Sequence, residues 1–182
     1  KLEEIYRFEN GISKIGDEYC WDIQGLFNEI KKGIKKCKEI GKVPKTIGID
    51  TWAVDFVLLD ENDEMLGNAV AYRDDRTEGY MEKAFQVIPQ DMLYLYTGIQ
   101  FQRFNTLYQL LAIKDKNPEY LKKAKTFLMI PDYLNFLLTG KKANEYTNAT
   151  STQLVNSFDR TWDKNILKEY GINEEMFQEI KM

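Results

Sequence analysis

The residues best suited to chemistry lie between positions 46 and 77, where polar side chains follow short apolar runs. One apolar run ends at Asp50-Thr51-Trp52, and another begins at once. A third run ends in the cluster Tyr72-Arg73-Asp74-Asp75-Arg76. Open α/β sheets place their ligands at the ends of buried strands. We therefore predict that residues 46–77 form one wall of a small-molecule site.

The cluster at residues 72–76 suggests the class of ligand. Carboxylate and guanidinium groups bind sugar hydroxyls in pairs, while an aromatic face packs against the C–H side of the ring. This combination is typical of a site for a polyhydroxylated ligand, although a surface ion network would have the same local sequence. Residues 101–106 mix aromatic and polar groups. They would supply a second wall of the site or simply cap the following helix.

The strand–Asp–Thr–strand outline around Asp50 also resembles hairpins that bind nucleotide phosphates. Such a hairpin needs glycines and small hydroxyl residues, so that backbone N–H groups can surround the phosphate. The bulky side chains of Trp52 and Val54 would block that approach. The loop is therefore predicted to bind a smaller organic ligand against Trp52 and Ala53.

Composition excludes several other classes of site. The chain has 182 residues, a net charge of −4 and a pI near 5.1, which argues against nucleic acid or an anionic membrane as a partner. It has no histidine, and its two cysteines form no Cys-x-x-Cys pair, so a His/Cys zinc site and a Ser-His or Cys-His nucleophile pair are excluded. No apolar run approaches the roughly 18 residues that cross a membrane. Two cysteines without a secretory signal favour a cytoplasmic protein.

Hydrophobic periodicity predicts an α/β fold with one mixed sheet flanked by helices, in a single domain spanning residues 1–182. Strands are predicted at residues 2–10, 46–50, 54–59, 65–72 and 126–130, the last as a buried parallel strand, and residues 11–18 are predicted to form a turn. Helices are predicted at residues 23–37 with Asp22 as N-cap, 78–87, 89–98, 105–114, 131–140, 146–154, 163–170 and from 173 onward.

Four segments resemble the FGGY family of carbohydrate kinases, and within it the enzymes that phosphorylate L-rhamnulose. They are residues 47–56 (IGIDTWAVDF), 71–77 (AYRDDRT), 96–101 with 104–110 (YTGIQF and FNTLYQL), and 131–133 with 138–140 and 145–150 (PDY, LTG and EYTNAT). The last group is similar to a signature that the family shares. The first and third groups point to the L-rhamnulose branch, and the match covers nearly the whole chain.

The resemblance implies a fold of two actin-like (ribonuclease H-like) domains, of which this chain is most of the first, sugar-binding domain. The first strands would precede Lys1, and the ATP domain would follow Met182. The implied reaction transfers the γ-phosphoryl group of ATP to the 1-hydroxyl of L-rhamnulose, with Mg²⁺. Catalytic residues, ATP and Mg²⁺ are expected to belong to the missing parts, so the chain alone is predicted to bind neither cofactor and to be inactive. Its partners would be the sugar and its own C-terminal domain.

The resemblance also implies roles for individual residues. Residue 53, usually glycine in the family, would contact the sugar, and the methyl group of Ala53 would narrow the pocket. An apolar Val54 would suit the methyl group of a deoxy-sugar, and Tyr72 and Phe104 match aromatic pocket walls. With Trp52 and Asp74 from the local analysis, the predicted substrate-binding residues are Trp52, Ala53, Val54, Tyr72, Asp74 and Phe104.

Three questions stay open at this point. The carboxylate that faces the ligand is one of Asp50, Asp55, Asp74 and Asp75. The sugar could instead be L-fuculose or D-xylulose. The chain could also be a sugar-binding or regulatory domain without catalysis.

Overall fold

The computed structural model describes all residues from 1 to 182. The strands are β1 (Ile12–Ile15), β2 (Glu18–Trp21), β3 (Phe56–Leu59), β4 (Thr126–Met129), β5 (Asn144–Glu145) and β6 (Ile180–Lys181). The helices are α1 (Ile23–Glu39), α2 (Tyr80–Phe85), α3 (Gln90–Thr97), α4 (Thr106–Lys116), α5 (Pro118–Lys123), α6 (Ile130–Thr139), α7 (Tyr146–Thr150) and α8 (Lys164–Glu169), with 3₁₀ turns at Asp75–Thr77 and Glu174–Met176. None of the helices is long and apolar enough to cross a bilayer.

The strand pair β3–β4 is the centre of the fold, because both of its faces are buried. Successive side chains of a strand point to opposite faces. Phe56 and Leu58 accordingly pack with α4 and α8, whereas Val57 and Leu59 pack with α1 and α6. Helices thus cover both faces of a buried strand pair, and the predicted α/β class is confirmed.

The remaining pairings are both antiparallel and parallel, but they form three two-stranded sheets rather than one sheet. The β1–β2 hairpin joins residues 69–71 through the hydrogen bonds Trp21 N to Ala69 O and Ala71 N to Tyr19 O, at 2.9 and 2.7 Å. The strand β4, predicted to be parallel, pairs antiparallel with β3 and makes one parallel bridge at Phe127. Its complete burial is as predicted.

Local signals at helix ends were reliable. The Asp22 carboxylate accepts a hydrogen bond from Gly25 N at 2.8 Å and caps α1. Gly98 and Gly140 close α3 and α6 in the left-handed conformation, with φ of +65° and +71°. Each of these ends depends on one residue and its nearest neighbours, so the sequence alone predicts it.

Several predicted elements are wrong. Residues 2–10 and 46–50 form no strand, and residues 65–72 contribute only single bridges. A strand requires a partner for its backbone groups, and β propensity alone does not provide one. The turn predicted at residues 11–18 is instead part of the β1–β2 hairpin, whose two-residue loop begins with Gly16 at φ +62°. Glycine at that position is typical of tight hairpins.

The C-terminal third also differs from the prediction. Helix α5 lies outside the predicted helices, and it begins at Pro118, because proline is well suited to the first turn of a helix. The predicted helix 146–154 ends at Thr150, and the chain after Asn173 forms a 3₁₀ turn and β6. Cys20 and Cys37 are free thiols.

Candidate functional site

A cavity of about 200 Å³ is lined by five of the six predicted substrate-binding residues: Trp52, Ala53, Val54, Tyr72 and Phe104. The rings of Tyr72 and Phe104 meet edge to face, with their centroids 5.5 Å apart. The lining residues come from three separate stretches of chain. We call this cavity the small pocket.

Asp74 is not among the residues that line the small pocket. Its side chain is 6% exposed, and its two oxygens accept hydrogen bonds from Tyr19 N and Arg76 N, both at 2.8 Å. The second bond caps the 3₁₀ turn at Asp75–Thr77. Asp75 is exposed and pairs with Arg103 at 3.1 Å. The geometry therefore gives both carboxylates structural contacts.

Val54 has an unusual backbone conformation, with φ of +67°. A β-branched residue rarely adopts the left-handed region, because its side chain crowds the backbone. The backbone N–H and C=O groups of Val54 are both hydrogen-bonded. Val54 N donates to Ser151 Oγ at 3.3 Å. Val54 O accepts from Thr106 Oγ1 at 2.7 Å and from Gln109 Nε2 at 3.2 Å. These contacts hold the strained turn that presents Val54 to the small pocket.

Asp55 lies directly beneath this turn and is completely buried. Its Oδ2 accepts from the indole nitrogens of Trp21 and Trp52 at 2.7 and 2.9 Å and from Tyr72 N at 3.1 Å. Its Oδ1 accepts from Gln109 Nε2 at 3.3 Å. Burial raises the pKa of Asp55, while the four donors act in the opposite direction. The carboxylate therefore orients two pocket residues without facing the pocket.

A second cavity of about 550 Å³ lies on the other side of Trp52 and Ala53, which border both cavities. Its walls are residues 47–53, the start of α6 and residues 145–148, and its polar lining consists of Asp50, Thr51, Asp132, Asn135, Glu145, Thr147 and Asn148. Asp50 is thus the only one of the four aspartates considered from the sequence that lines either cavity. We call this cavity the polar cleft.

The carboxyl group of Asp132 lies in the wall of the polar cleft and is 7% exposed. It accepts hydrogen bonds from Asn144 Nδ2 at 2.8 Å and Glu145 N at 3.1 Å. Burial raises the pKa of Asp132 to about 6, and the nearby Glu145 charge adds to the effect of burial. Asp132 therefore changes charge close to neutral pH.

Sequence reasoning did not select Gln109 as a site residue. It considered Asp55 only as one of four carboxylates that could face the ligand, and Thr106 only as part of a possible second wall at residues 101–106. Gln109 carried no local signal, because it lies two positions after Leu107 and one before Leu110, away from the apolar face of the predicted helix. It is 1% exposed. A buried amide needs hydrogen-bond partners, but the sequence does not say which groups provide them.

A model of the N-terminal domain of the FGGY carbohydrate kinases matches residues 9–182 of the chain. The chain belongs to the FGGY family of carbohydrate kinases. It is 61% identical over 182 residues to the rhamnulokinase of Halalkalibacterium halodurans and 57% identical over 181 residues to that of Oceanobacillus iheyensis. It is covered completely in both comparisons, and it spans 39% and 38% of the two relatives.

Solved structures of FGGY kinases have the same fold. The xylulose kinase of Rhodospirillum rubrum matches 94% of this chain with a TM-score of 0.84 at 16% identity, and 37% of that kinase is covered. The Plasmodium falciparum glycerol kinase with ADP matches 96% of this chain with a TM-score of 0.76 at 23% identity, and 37% of it is covered. The actin-like fold predicted for the chain is confirmed.

The raised pKa of Asp132 predicts a pH-dependent stability. The carboxyl group binds its proton more tightly in the folded state, so its contribution to stability is complete below a pH of about 4 and is lost as the pH rises through about 6. We expect the wild-type protein to lose about 2 kcal/mol over this range relative to Asp132→Asn, because the shift is about two pKa units and part of the contribution is already lost at pH 4. Denaturant unfolding of both proteins between pH 4 and 7 measures the difference. Asp75→Asn, at an exposed carboxyl, is the control. Parallel wild-type and Asp132→Asn curves would contradict the prediction.

Proposed function

We propose that the longer protein phosphorylates a ketose with ATP, and that its preferred substrate is L-rhamnulose, which becomes L-rhamnulose 1-phosphate in rhamnose catabolism. The observation that carries the proposal is the small pocket, whose five lining residues are those that the family resemblance assigns to the sugar or that the local sequence places beside it. Two relatives that are more than 55% identical are rhamnulokinases. Their names supply the specific sugar.

The chemistry of the small pocket supports a 6-deoxy sugar. Its walls are apolar and aromatic side chains, which would bury a methyl group at a gain of about 0.8 kcal/mol for each carbon. A hydroxyl group at the same place would lose its water without a new partner, which costs about 1–3 kcal/mol. The methyl end of L-rhamnulose therefore fits against Val54, Tyr72 and Phe104.

The polar cleft would then accommodate the hydroxyl-bearing end of the sugar. Asp50, Thr51 and Asn148 offer acceptors and donors there. Ala53 borders both cavities, so a sugar that spans them would pass over its methyl group. We propose that this arrangement fixes the orientation of the sugar before phosphoryl transfer.

We assign the remaining chemistry to the rest of the longer protein. Phosphoryl transfer depends mainly on positioning and on neutralising charge around the γ-phosphate. Residues 1–182 contain no group of three or more cysteine, aspartate and glutamate side chains that could hold a metal ion. We propose that these residues form most of one sugar-binding domain of a cytoplasmic enzyme, and that a C-terminal domain binds ATP and Mg²⁺, which would neutralise phosphate charge when bound.

A sugar panel tests the proposal on the full-length protein. We expect ADP production with L-rhamnulose to show the highest kcat/KM, followed by L-fuculose, which shares the methyl group, and then D-xylulose, which lacks it. A coupled ADP assay with each sugar at several concentrations measures the three values. If L-rhamnulose is turned over no faster than L-fuculose or D-xylulose, the assignment of the substrate is wrong.

Replacing Ala53 tests the position of the sugar. Its side chain is exposed and borders both cavities, so Ala53→Phe should fill the sugar path without disturbing the core. We expect the KM for L-rhamnulose to rise by about tenfold or more, because a large side chain forced into a well-packed space commonly costs about 1–3 kcal/mol. Ala53→Gly is the matched control and should bind the sugar at least as well as the parent. An unchanged KM in Ala53→Phe would remove residue 53 from the site.

A further inference from the structure

The side chain of Gln109 connects the two walls of the small pocket from behind. Its Nε2 lies 2.8 Å from Phe104 O, 3.2 Å from Val54 O and 3.3 Å from Asp55 Oδ1. Val54 and Phe104 are pocket residues from stretches 50 positions apart in the chain. One amide group therefore ties the turn at Val54 to the segment that precedes α4.

Arg76 determines which way the Gln109 amide points. An Arg76 terminal nitrogen donates to Gln109 Oε1 at 2.5 Å. A guanidinium group has only donors, so the amide oxygen must face Arg76 and the NH₂ group must face the three acceptors. The orientation needed to hold both pocket walls is thus fixed by a residue that does not line the pocket.

Thr106 adds a second bond to the same carbonyl group. Its hydroxyl donates to Val54 O at 2.7 Å, and its side chain is completely buried. Thr106 and Gln109 are three residues apart on α4 and lie on one face of the helix. Val54 O therefore accepts two hydrogen bonds from α4.

These bonds oppose a strain that would otherwise alter the pocket. A non-glycine residue in a rare backbone region costs about 1–3 kcal/mol and persists only where its surroundings enforce it. Without its two partners on α4, Val54 would relax toward negative φ, and its side chain would leave the wall that it shares with Tyr72 and Phe104. The small pocket would then lose its defined width.

We propose that Gln109 and Thr106 are positioning residues that set the sugar affinity and selectivity of the small pocket, by holding Val54 in its left-handed conformation and, through Gln109, at a fixed distance from Phe104. This inference rests on the proposed sugar-kinase function of the site. Neither side chain lines the small pocket or the polar cleft. Both act through the backbone of pocket residues.

Three variants of the full-length protein test the proposal by kinetics. Thr106→Val keeps the shape of the side chain and removes its hydroxyl, Thr106→Ser keeps the hydroxyl, and Gln109→Glu keeps the oxygen that faces Arg76 but replaces the donating NH₂ group. We expect Thr106→Val to raise the KM for L-rhamnulose about tenfold, as for one lost hydrogen bond. Gln109→Glu should raise it at least as much, because it removes the contacts to Val54 O, Phe104 O and Asp55 Oδ1. Both should lower the preference for L-rhamnulose over D-xylulose. The KM for ATP should not change, and Thr106→Ser should behave as the parent.

A purely structural role would give a different pattern. Lower thermal stability of Thr106→Val with an unchanged KM and an unchanged sugar preference would overturn the proposal. Thr106→Val is the milder substitution, so it keeps the test decisive if Gln109→Glu fails to fold beside the buried Asp55.

A crystal structure of Thr106→Val separates this proposal from the proposed function. We expect residue 54 to leave the left-handed region or to move away from Phe104. A turn that superimposes on the parent would contradict the inference, whatever the sugar. If the parent phosphorylates none of the sugars, the proposed function fails, and the position of residue 54 in this variant still decides whether α4 holds the turn.

Discussion

The buried carboxylate of Asp55 is the constraint on which the candidate site depends. An ionised group removed from water costs several kcal/mol unless hydrogen bonds replace its hydration. Four donors surround this carboxylate: two indole N–H groups, one backbone N–H and one amide NH₂. Removing any one of these donors would therefore lower the free energy of unfolding.

The four donors come from four parts of the chain, and this is why a buried charge can shape a pocket. Trp21 belongs to β2, and Trp52 to the turn that contains Val54. Tyr72 follows the segment 69–71 that is hydrogen-bonded to β2, and Gln109 belongs to α4. The backbone of Asp55 also accepts a hydrogen bond from Ile130 N at 3.1 Å, at the start of α6. Residues in the walls of both cavities are therefore hydrogen-bonded to Asp55. Rigid walls favour binding, because fewer side chains must lose conformational freedom when the ligand binds.

The sequence predicts those features that depend on near neighbours and on family motifs. Asp22, Gly98 and Gly140 mark helix ends through contacts within a few residues, and the family resemblance grouped Val54, Tyr72 and Phe104 as pocket residues. It fails where distant partners decide. Residues 46–50 have the composition of a strand, but no strand pairs with them. Asp74 is a residue type that often binds sugar hydroxyls, but its oxygens accept hydrogen bonds from backbone N–H groups. The role of Gln109 depends on Val54 and Asp55, more than 50 positions away, and no local pattern contains that information.

A crystal structure of the full-length protein with L-rhamnulose would show where each end of the sugar binds. We expect the methyl group of the sugar to lie within about 4 Å of Val54, Tyr72 and Phe104. We expect the sugar to pass over Ala53 and its 1-hydroxyl to lie on the side of the polar cleft. A methyl group in the polar cleft or in solvent, with the small pocket empty, would contradict these expectations.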